Sequence, residues 1–238
     1  MTKKIPLSIV IGGTGGIGST IVDLLRSRGD KVMTVGRSSS QNADISCDVS
    51  TTEGRLGFVN AVQDIKINNL IFAHRYRGDE ESQDFNVAFN SVEEVIKLVS
   101  ASLETGSCIV LLSSVAARQV LDEQSGSYHA SRAALESLTR FLAVRMGVNN
   151  IRVNCVLPTT LIKESNREFF QEGNPVHDLI ADITPLKRMG HARDIANLVE
   201  FLCSERSSFI TGQGFLVDGG LSLVNQETIA RRLTGLLH

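Results

Sequence analysis

The 238-residue sequence predicts a doubly wound α/β fold, in which helices cover both faces of one parallel sheet. Short apolar runs rich in β-branched residues alternate along the chain with longer segments of helical period. Parallel strands need a crossover connection, and a helix in that connection buries its apolar stripe against the sheet. A glycine-rich turn joins the first apolar run to the first helical segment. In such folds the ligand lies beyond the carboxyl ends of the strands, near the point where strand order reverses.

The alternation gives the predicted elements in order. The predicted strands are IPLSIVI, KVMTV, ISCDV, NNLIFA, SCIVLLS, IRVNCVL and GFLVDGG. The predicted helices cover about 17–28, 52–65, 84–104, 127–147 and 191–204.

Composition fits a single globular domain over residues 1–238. The formal net charge is −2 and 42% of the residues are hydrophobic, which provides enough apolar mass for a large core. No apolar run approaches the roughly 18 residues that cross a bilayer, and the opening segment has no signal-peptide pattern. We therefore expect a cytoplasmic protein without a membrane partner. The near-neutral charge, without long basic runs, argues against a nucleic-acid partner.

The four cysteines stand singly in apolar stretches, and no CxxC pair occurs. We expect small buried side chains at these positions, and we predict neither a disulfide nor a metal site. The four positions are Cys47, Cys108, Cys155 and Cys203.

The segment IVIGGTGGIGSTIVDLL has a strand, a glycine-rich turn and a helix in the order that dinucleotide binding requires. Gly12 permits the tight turn, Gly16 lets the backbone approach a pyrophosphate, and Gly18 allows close packing of helix on strand. Free N–H groups at the start of the helix attract phosphates. A tight turn without a ligand is the alternative, but the flanking strand and amphipathic helix favour a cofactor.

The second strand ends in VMTVGRSSS, without the acidic residue that would bind the hydroxyls of the adenosine ribose. Arg37 and Ser38 suit a 2′-phosphate instead, which favours NADP(H) over NAD(H). An ordinary exposed arginine is the alternative interpretation. Asp48, at the end of the next strand, either accepts a hydrogen bond from the adenine amino group or caps the following turn.

These motifs continue along the chain as GGTGGIG, CDV, LLSSVAA, YHASRAALESLTR, NIRVNCVLP and a final PLKRMGHARDIANLVEFLCSERSSFITGQGFLVDGG. With them the chain resembles the short-chain dehydrogenase/reductase family from about Ile5 to Val224. The resemblance implies a Rossmann-type domain and a homotetramer or homodimer that pairs through the helices near 84–104 and 127–147. Those helices carry the apolar residues Val92, Val95, Ile96, Val99, Leu135, Leu138 and Phe141.

The resemblance also implies a catalytic set of Asn90, Ser114, Tyr128 and Arg132, with arginine where the family usually has lysine. Tyr128 would be the general acid in carbonyl reduction by the nicotinamide. A phenol has a pKa near 10, so it needs a cation nearby, and Arg132 lies one helical turn away on the same face. Ser114 would bind the substrate oxygen, and Asn90 would hold the helix or a relay water. Taken singly, the tyrosine could simply pack its ring and the serine could cap a turn.

Three departures from the family pattern concern the nicotinamide end. FAHRYRG replaces Asn-Asn-Ala-Gly, Pro158-Thr159 replaces proline–glycine, and Lys163 replaces a threonine. Arg75 and Arg77 either face an anionic group of cofactor or substrate or form a solvated basic loop. The predicted cofactor contacts are Gly12, Thr14, Gly15, Gly16, Ile17, Gly18, Arg37, Ser38, Asp48, Val49, Ala73, His74, Tyr128, Arg132, Pro158, Thr159 and Leu161.

Two functions remain open at this point. The first is an NADP(H)-dependent oxidoreductase that acts on a small-molecule carbonyl or alcohol, with a substrate lid near 159–185. The second is a relative that binds the cofactor but does little chemistry and serves as a redox sensor or interaction subunit. A phosphopantetheine-linked acyl group, a nucleotide sugar and a free ketone are all compatible with the lid sequence.

Overall fold

The computed structural model describes residues 5–37 and 42–236. Its strands are β1 (Leu7–Ile11), β2 (Lys31–Gly36), β3 (Ile45–Ser46), β4 (Ile67–Phe72), β5 (Leu103–Leu112), β6 (Arg152–Pro158), β7 (Leu161–Ile162), β8 (Gly190–His191) and β9 (Gly214–Val217). Seven of them form one sheet in the order β3-β2-β1-β4-β5-β6-β9, and β7 pairs with β8. All the strand pairs are parallel. The predicted doubly wound α/β fold is confirmed.

Helices lie on both faces of this sheet. They are α1 (Gly16–Arg28), α2 (Thr52–Val62), α3 (Ser82–Phe85), α4 (Ser91–Val99), α5 (Gly126–Gly147), α6 (Pro175–Ile183), α7 (Ala192–Leu202) and α8 (Gln226–Leu233). A π-helical turn over Asn86–Asn90 joins α3 to α4. No helix in the described ranges is long and apolar enough to cross a membrane.

The helix predicted over 84–104 is wrong in two respects. It contains the π-helical turn, and it stops before Leu103, which pairs with Ile67 of β4 and begins β5. The sequence patterns also did not predict α6 and α8. The signal for α6 was present, because Asn174 caps it by accepting from two backbone N–H groups and Pro175 follows at the first helical position.

The core has two layers, one on each face of the sheet. Phe58 of α2, Val95 of α4 and Leu138 of α5 belong to the layer on one face. Leu25 of α1 and Val199 of α7 belong to the other. Leu70, Ile71 and Phe72 at the end of β4 alternate between the layers, as the two-residue period of a strand requires. Cys108, Cys155 and Cys203 are buried, Cys47 is partly buried, and all four are unpaired thiols.

The strand order reverses at β1. The chain adds β2 and then β3 on one side of β1, and it then returns to place β4 on the other side of β1. Backbone hydrogen bonds hold the three strand ends together, from Gly12 N to Val35 O at 2.8 Å and from Ala73 N to Ile11 O at 2.7 Å. A crevice opens where the following loops diverge, and this is the expected ligand site of the fold.

The apolar residues cited above for subunit pairing are mostly not at the surface. Four from α4 and two from α5 are buried inside the subunit, because they pack on the sheet: Val92, Val95, Ile96, Val99, Leu135 and Leu138. Phe141 of α5 is 58% exposed, and Val144 is 77% exposed on the same helix. Leu98 of α4 is 44% exposed. Of the residues that the sequence indicated, only Phe141 contributes to the exposed apolar surface of these helices, together with Val144 and Leu98.

Candidate active site

The glycine loop between β1 and α1 is packed too closely for side chains. Gly12 has φ +82°, and a Cβ on it would lie 2.6 Å from the backbone nitrogen of His74. A Cβ on Gly18 would collide with the carbonyl oxygen of Gly12. Helix α1 starts after Gly15 with no side-chain cap and no acidic residue in its first turn, so nothing in this turn neutralises its N–H groups. These features fit the pyrophosphate of a dinucleotide.

A cavity of about 370 Å³ lies at the carboxyl ends of β1, β2 and β4, beside the glycine loop, and is called the glycine-loop cavity below. Gly16, Ile17 and Gly18 form the first turn of α1 and are not among the residues that line it. Ser38 lies outside the described residues. The predicted cofactor residues that line the cavity are Gly12, Thr14, Gly15, Arg37, Asp48, Val49, Ala73 and His74.

Asp48 serves its own turn and also faces the cavity. Its Oδ1 accepts hydrogen bonds from Ser50 N at 2.9 Å and from Ser50 Oγ at 2.6 Å. The turn-capping alternative therefore holds for one carboxylate oxygen. The residue still lines the cavity, so a role toward the adenine is compatible with this geometry.

His74 ties the end of β4 to the π-helical turn, a role that the sequence did not reveal. Its Nε2 lies 2.9 Å from Val87 O and 3.0 Å from Ser91 Oγ. Burial lowers the pKa of His74 to about 4, with a smaller lowering from Arg132, so the ring is neutral near pH 7. Because a carbonyl only accepts, Nε2–H donates to Val87 and Nδ1 is an acceptor. Nδ1 is buried and has no partner among the described residues.

Tyr128 and Arg132 face each other at the start of α5. Ser125 caps this helix, and its Oγ accepts from Tyr128 N at 3.0 Å. The Cζ atom of Arg132 lies 4.8 Å from the centre of the Tyr128 ring. Tyr128 is partly exposed, whereas Arg132 is only 2% exposed. The tyrosine is therefore reachable from solvent, and the cation behind it is enclosed.

The guanidinium of Arg132 is incompletely satisfied. Its Nε and Nη2 are buried and have no hydrogen-bond partner in the described chain. Burial lowers the pKa of Arg132, while the charges of Tyr128 and Asp84 raise it. The Asp84 carboxylate is itself buried and accepts from Ser125 Oγ at 3.4 Å. Two N–H donors of a buried cation are thus left without an acceptor, which is energetically costly.

Two serines that follow β5 hold the helix start and a short turn in place. Ser113 Oγ donates to Arg132 O at 2.8 Å, which fixes α5 against the strand at the level of the arginine. Ser114 is buried, and its Oγ accepts from Ala116 N at 3.2 Å, capping the short turn over Val115–Ala117. The capping alternative for Ser114 thus agrees with the geometry, and its hydroxyl hydrogen is left as a donor.

His129, next to Tyr128, is a second residue whose role the sequence did not reveal. Its Nδ1 lies 2.7 Å from Ser125 O, and its Nε2 lies 2.9 Å from Leu121 N. One tautomer satisfies both contacts, with Nδ1–H donating and Nε2 accepting. The Tyr128 and His129 rings meet edge to face with centroids 6.2 Å apart. His129 therefore ties the loop that follows β5 to the first turn of α5.

The structure does not bring Asn90 into this group. Asn90 is exposed at the end of the π-helical turn, because the helix rotates it away from the sheet. Asn86 begins the same turn and is partly buried, with its Nδ2 3.2 Å from Gln83 Oε1 and 3.5 Å from Ser50 O. Gln83 lines the cavity. Both asparagines lie in the segment NVAFN, and only the helix geometry separates them.

The residues after β6 lie apart from the glycine-loop cavity. Pro158 ends β6, and Thr159 N donates to Val217 O at 3.3 Å. Thr159 and Leu161 line a second cavity of about 260 Å³. Leu161 is 2% exposed, because the pairing of β7 with β8 turns its side chain into the core layer that contains Ile195. A cofactor contact of Leu161 stays a prediction, and its side chain belongs to the core and not to the lining of the glycine-loop cavity.

A family model described as enoyl-(acyl carrier protein) reductase matches residues 13–222. The structure of a short-chain dehydrogenase family protein from Francisella tularensis superimposes with a TM-score of 0.80 at 25% identity, covering 93% of this chain and 100% of the other. The chain belongs to the short-chain dehydrogenase/reductase family. It is therefore an oxidoreductase of a family that uses a nicotinamide cofactor.

Two curated relatives have similar lengths. A tropinone reductase homolog of Arabidopsis thaliana is 32% identical over 245 residues, which cover 91% of this chain and 92% of the relative. The L-xylulose reductase of Bos taurus is 30% identical over 234 residues, covering 90% of this chain and 95% of the relative. The similarity thus extends over nearly the whole short-chain dehydrogenase/reductase domain.

His74 should make the stability of the protein depend on pH. The unfolded chain binds a proton at His74 below about pH 6.5, but the folded chain does so only near pH 4, so acid favours unfolding. We expect the free energy of unfolding to fall by at most about 2 kcal/mol through this residue between pH 7 and pH 5. In His74→Gln, whose amide does not titrate, this part of the slope should be absent. Urea unfolding of both proteins across this range measures it, and parallel pH curves would contradict the expectation.

Proposed function

We propose that this chain is an NADP(H)-dependent oxidoreductase that transfers a hydride between the nicotinamide and a carbonyl or alcohol substrate. In this proposal Tyr128 is the general acid in reduction and the general base in the reverse reaction. The observation that carries it is the pair of Tyr128 and Arg132, an accessible phenol backed by a buried cation. Arg132 also contributes to the lowered pKa of His74, which lines the glycine-loop cavity, so the pair and the cavity are neighbours.

The bound nicotinamide supplies or accepts the hydride. Tyr128 gives its hydroxyl proton to the substrate oxygen as negative charge develops there. The positive charge of Arg132, 4.8 Å from the ring centre, stabilises the phenolate that remains. Ser114 donates its free hydroxyl hydrogen to the same substrate oxygen. Each of these groups is held on a helix or at a strand end, so little reorganisation is needed during the reaction.

Arginine changes one part of the chemistry. A guanidinium stays charged in proteins, so Arg132 supplies charge and hydrogen bonds but no proton. Its unpartnered Nε and Nη2 groups are costly to bury alone, and oxygen atoms of a bound ligand would satisfy them. Tyr128 must then be reprotonated by a route that does not use the cation.

The preference for NADP(H) is supported by the end of β2. Gly36 offers no carboxylate to a free ribose diol, and Arg37 lines the cavity beside it. Arg37 forms no ion pair with a described carboxylate, so its charge is available to a 2′-phosphate. Ser38 would add a hydroxyl donor next to it, as the sequence predicts.

We further propose a single domain over 1–238, with residues 159–185 as a lid over a small carbonyl substrate. The lid includes α6, which has no buried residue and lies beside the second cavity through Ile180. One relative is named an L-xylulose reductase and another a homolog of tropinone reductase, which supports a free carbonyl compound. The family description names an acyl-carrier-linked substrate, so a carrier-bound acyl group is the rival class.

A cofactor-binding protein with little catalysis is the second candidate function. It is favoured by the position of Arg132, which lies over the face of the Tyr128 ring and has no proton to release. The site would then hold the cofactor through the same cavity and signal its presence. Variants at Arg132 separate the two candidates.

We also propose a homo-oligomer, a tetramer with two-fold symmetry. The support is the apolar surface at the end of α5, where Phe141, Val144 and, just after the helix, Val148 are all more than half exposed. Leu98 of α4 adds to the exposed apolar area. Closed symmetric assemblies are the usual form of soluble oligomers, and a helix surface of this kind fits a self-complementary contact.

Light scattering should give a mass well above the 25.8 kDa of one chain at micromolar concentration. Val144→Glu should reduce this mass, because a carboxylate would be buried in an apolar contact. Val120→Glu is the matched control, since Val120 is 84% exposed in the loop before α5. A monomeric wild type would contradict the proposal.

Binding should favour NADPH over NADH by at least about tenfold, which corresponds to about 1.4 kcal/mol from the contact of Arg37 with the 2′-phosphate. Arg37→Ala should remove most of this preference and leave the NADH affinity nearly unchanged. Titration followed by the fluorescence of the reduced nicotinamide measures both affinities. Equal affinities in the wild type, or no change in Arg37→Ala, would refute the cofactor assignment.

Tyr128→Phe should lower any carbonyl-reduction rate at least about a hundredfold with cofactor affinity nearly unchanged, because it removes only the proton donor. Arg132→Lys should give a slower enzyme, since lysine keeps the charge but loses the planar geometry. Steady-state assays with a panel of ketones and both cofactors measure these rates. If Arg132→Lys instead creates activity that the wild type lacks, the cofactor-binding candidate is correct.

A further inference from the structure

The glycine-loop cavity is lined by more positive charge than a 2′-phosphate requires. Arg37, Arg75 and Arg77 all line it. None of these guanidiniums forms an ion pair with a carboxylate in ranges 5–37 and 42–236, although Asp79, Glu80 and Glu81 follow closely in the chain. Three unpaired arginines in one cavity indicate an anionic ligand with more than one charged group.

Arg77 reaches across the crevice toward the start of α1. Its Nη2 lies 3.7 Å from the point where a Cβ on Gly16 would be. Gly16 is the first residue of α1, and Arg77 comes from the loop after β4, the strand next to β1 in the sheet. The guanidinium therefore covers the helix start from the side that the glycine loop leaves open.

The loop that carries Arg77 is constrained. Tyr76 stands between the two arginines, and its hydroxyl oxygen accepts from Glu80 N at 3.1 Å. Gly78 packs so closely on the Tyr76 ring that a Cβ there would collide with it. Arg75 and Arg77 thus project from a folded turn whose centre is held by Tyr76.

The charges in this turn oppose one another until an anion is present. Partial burial lowers the pKa of Arg77, and the neighbouring Arg75 and Arg37 lower it further. Burial, followed by Arg75 and Arg77, lowers the pKa of Lys163 in the same way. Lys163 therefore approaches this group from the segment after β7. Like charges held together raise the free energy of the empty site and strengthen its attraction for phosphate.

We propose that Arg77, with Arg75 beside it, binds the pyrophosphate of the cofactor from the side of the crevice opposite the glycine loop. This rests on the proposed function, because it requires a dinucleotide in the cavity. A guanidinium matches the geometry of phosphate oxygens through paired N–H donors. The arginines then bind different phosphates of NADP(H), with Arg37 at the 2′-phosphate and Arg77 at the pyrophosphate. An anionic group on the substrate, held between Arg75 and Lys163, is the competing use of these charges.

The test is equilibrium binding by calorimetry, with ligands that differ in their phosphates. NADPH, NADH and ADP-ribose contain a pyrophosphate, whereas adenosine 2′,5′-bisphosphate does not. Arg77→Gln should weaken the first three by about tenfold each, the usual effect of losing a charge-assisted contact. It should leave adenosine 2′,5′-bisphosphate nearly unchanged and keep the ratio of NADPH to NADH affinity. Arg77→Lys should recover part of the loss, since it keeps the charge.

Two matched variants complete the design. Arg193→Gln removes an exposed arginine of α7, far from the glycine loop in sequence, and should bind all four ligands like the wild type. Arg37→Ala should give the opposite pattern from Arg77→Gln, with losses confined to the two ligands that carry a 2′-phosphate. Thermal unfolding of each variant checks that the exposed substitutions leave the fold intact.

Three results would overturn the inference. If Arg77→Gln weakens only the ligands with a 2′-phosphate, Arg77 belongs to the Arg37 site. If no nucleotide affinity changes but KM rises for carbonyl substrates with a phosphate or carboxylate group, the cations serve the substrate. Both results leave the cofactor assignment standing. If the wild type binds none of the pyrophosphate ligands, both the proposed function and this inference are wrong.

Discussion

The burial of the Arg132 guanidinium is the constraint on which the site depends. Taking a full charge out of water costs several kcal/mol unless other groups compensate it. In this protein the compensation comes from the Tyr128 ring at 4.8 Å and from the charge of Asp84. Two of its N–H groups stay without partners in the described chain. The remaining deficit is an energetic cost that the fold carries near the start of α5.

The surrounding contacts hold this charge where it is. Ser113 fixes the backbone of Arg132 to the end of β5, and Ser125 caps the helix that carries it. His129 ties the loop after β5 to the same helix start. On the other side His74 connects β4 to the π-helical turn as a neutral ring, which is the form that burial beside a cation favours. Side chains from α5, β4 and β5 therefore define the site together.

The opposite half of the crevice is built from backbone. Close packing of Gly12 on the end of β4 leaves room for no side chain, and α1 presents uncapped N–H groups. The three arginines that line the cavity face this neutral but polar surface. The division is physically reasonable, because backbone N–H groups give directed hydrogen bonds at close range, and arginines add charge that acts over longer distances.

Short-range patterns in the sequence determined much of the molecule. The alternation of apolar runs and helical periods predicted the seven strands of the main sheet and the helices that cover it, because burial on a sheet imposes those periods. The glycines of the loop, and the spacing of Tyr128 and Arg132 on one helix face, were also readable, because both depend on residues close together in the chain.

Only the tertiary structure decided contacts between distant segments. It placed Asn90 outward and Asn86 inward, since a π-helical turn rotates residues in a way that the pattern NVAFN does not encode. It turned Leu161 into the core through the pairing of β7 with β8, which lie far apart in sequence. It placed the His74 ring against Val87 of the π-helical turn and Ser91 of α4, and it brought Arg77 close to Gly16. The positions of Leu161, His74 and Arg77 depend on the order of the strands in the sheet, and the chemistry of single residues does not carry that information.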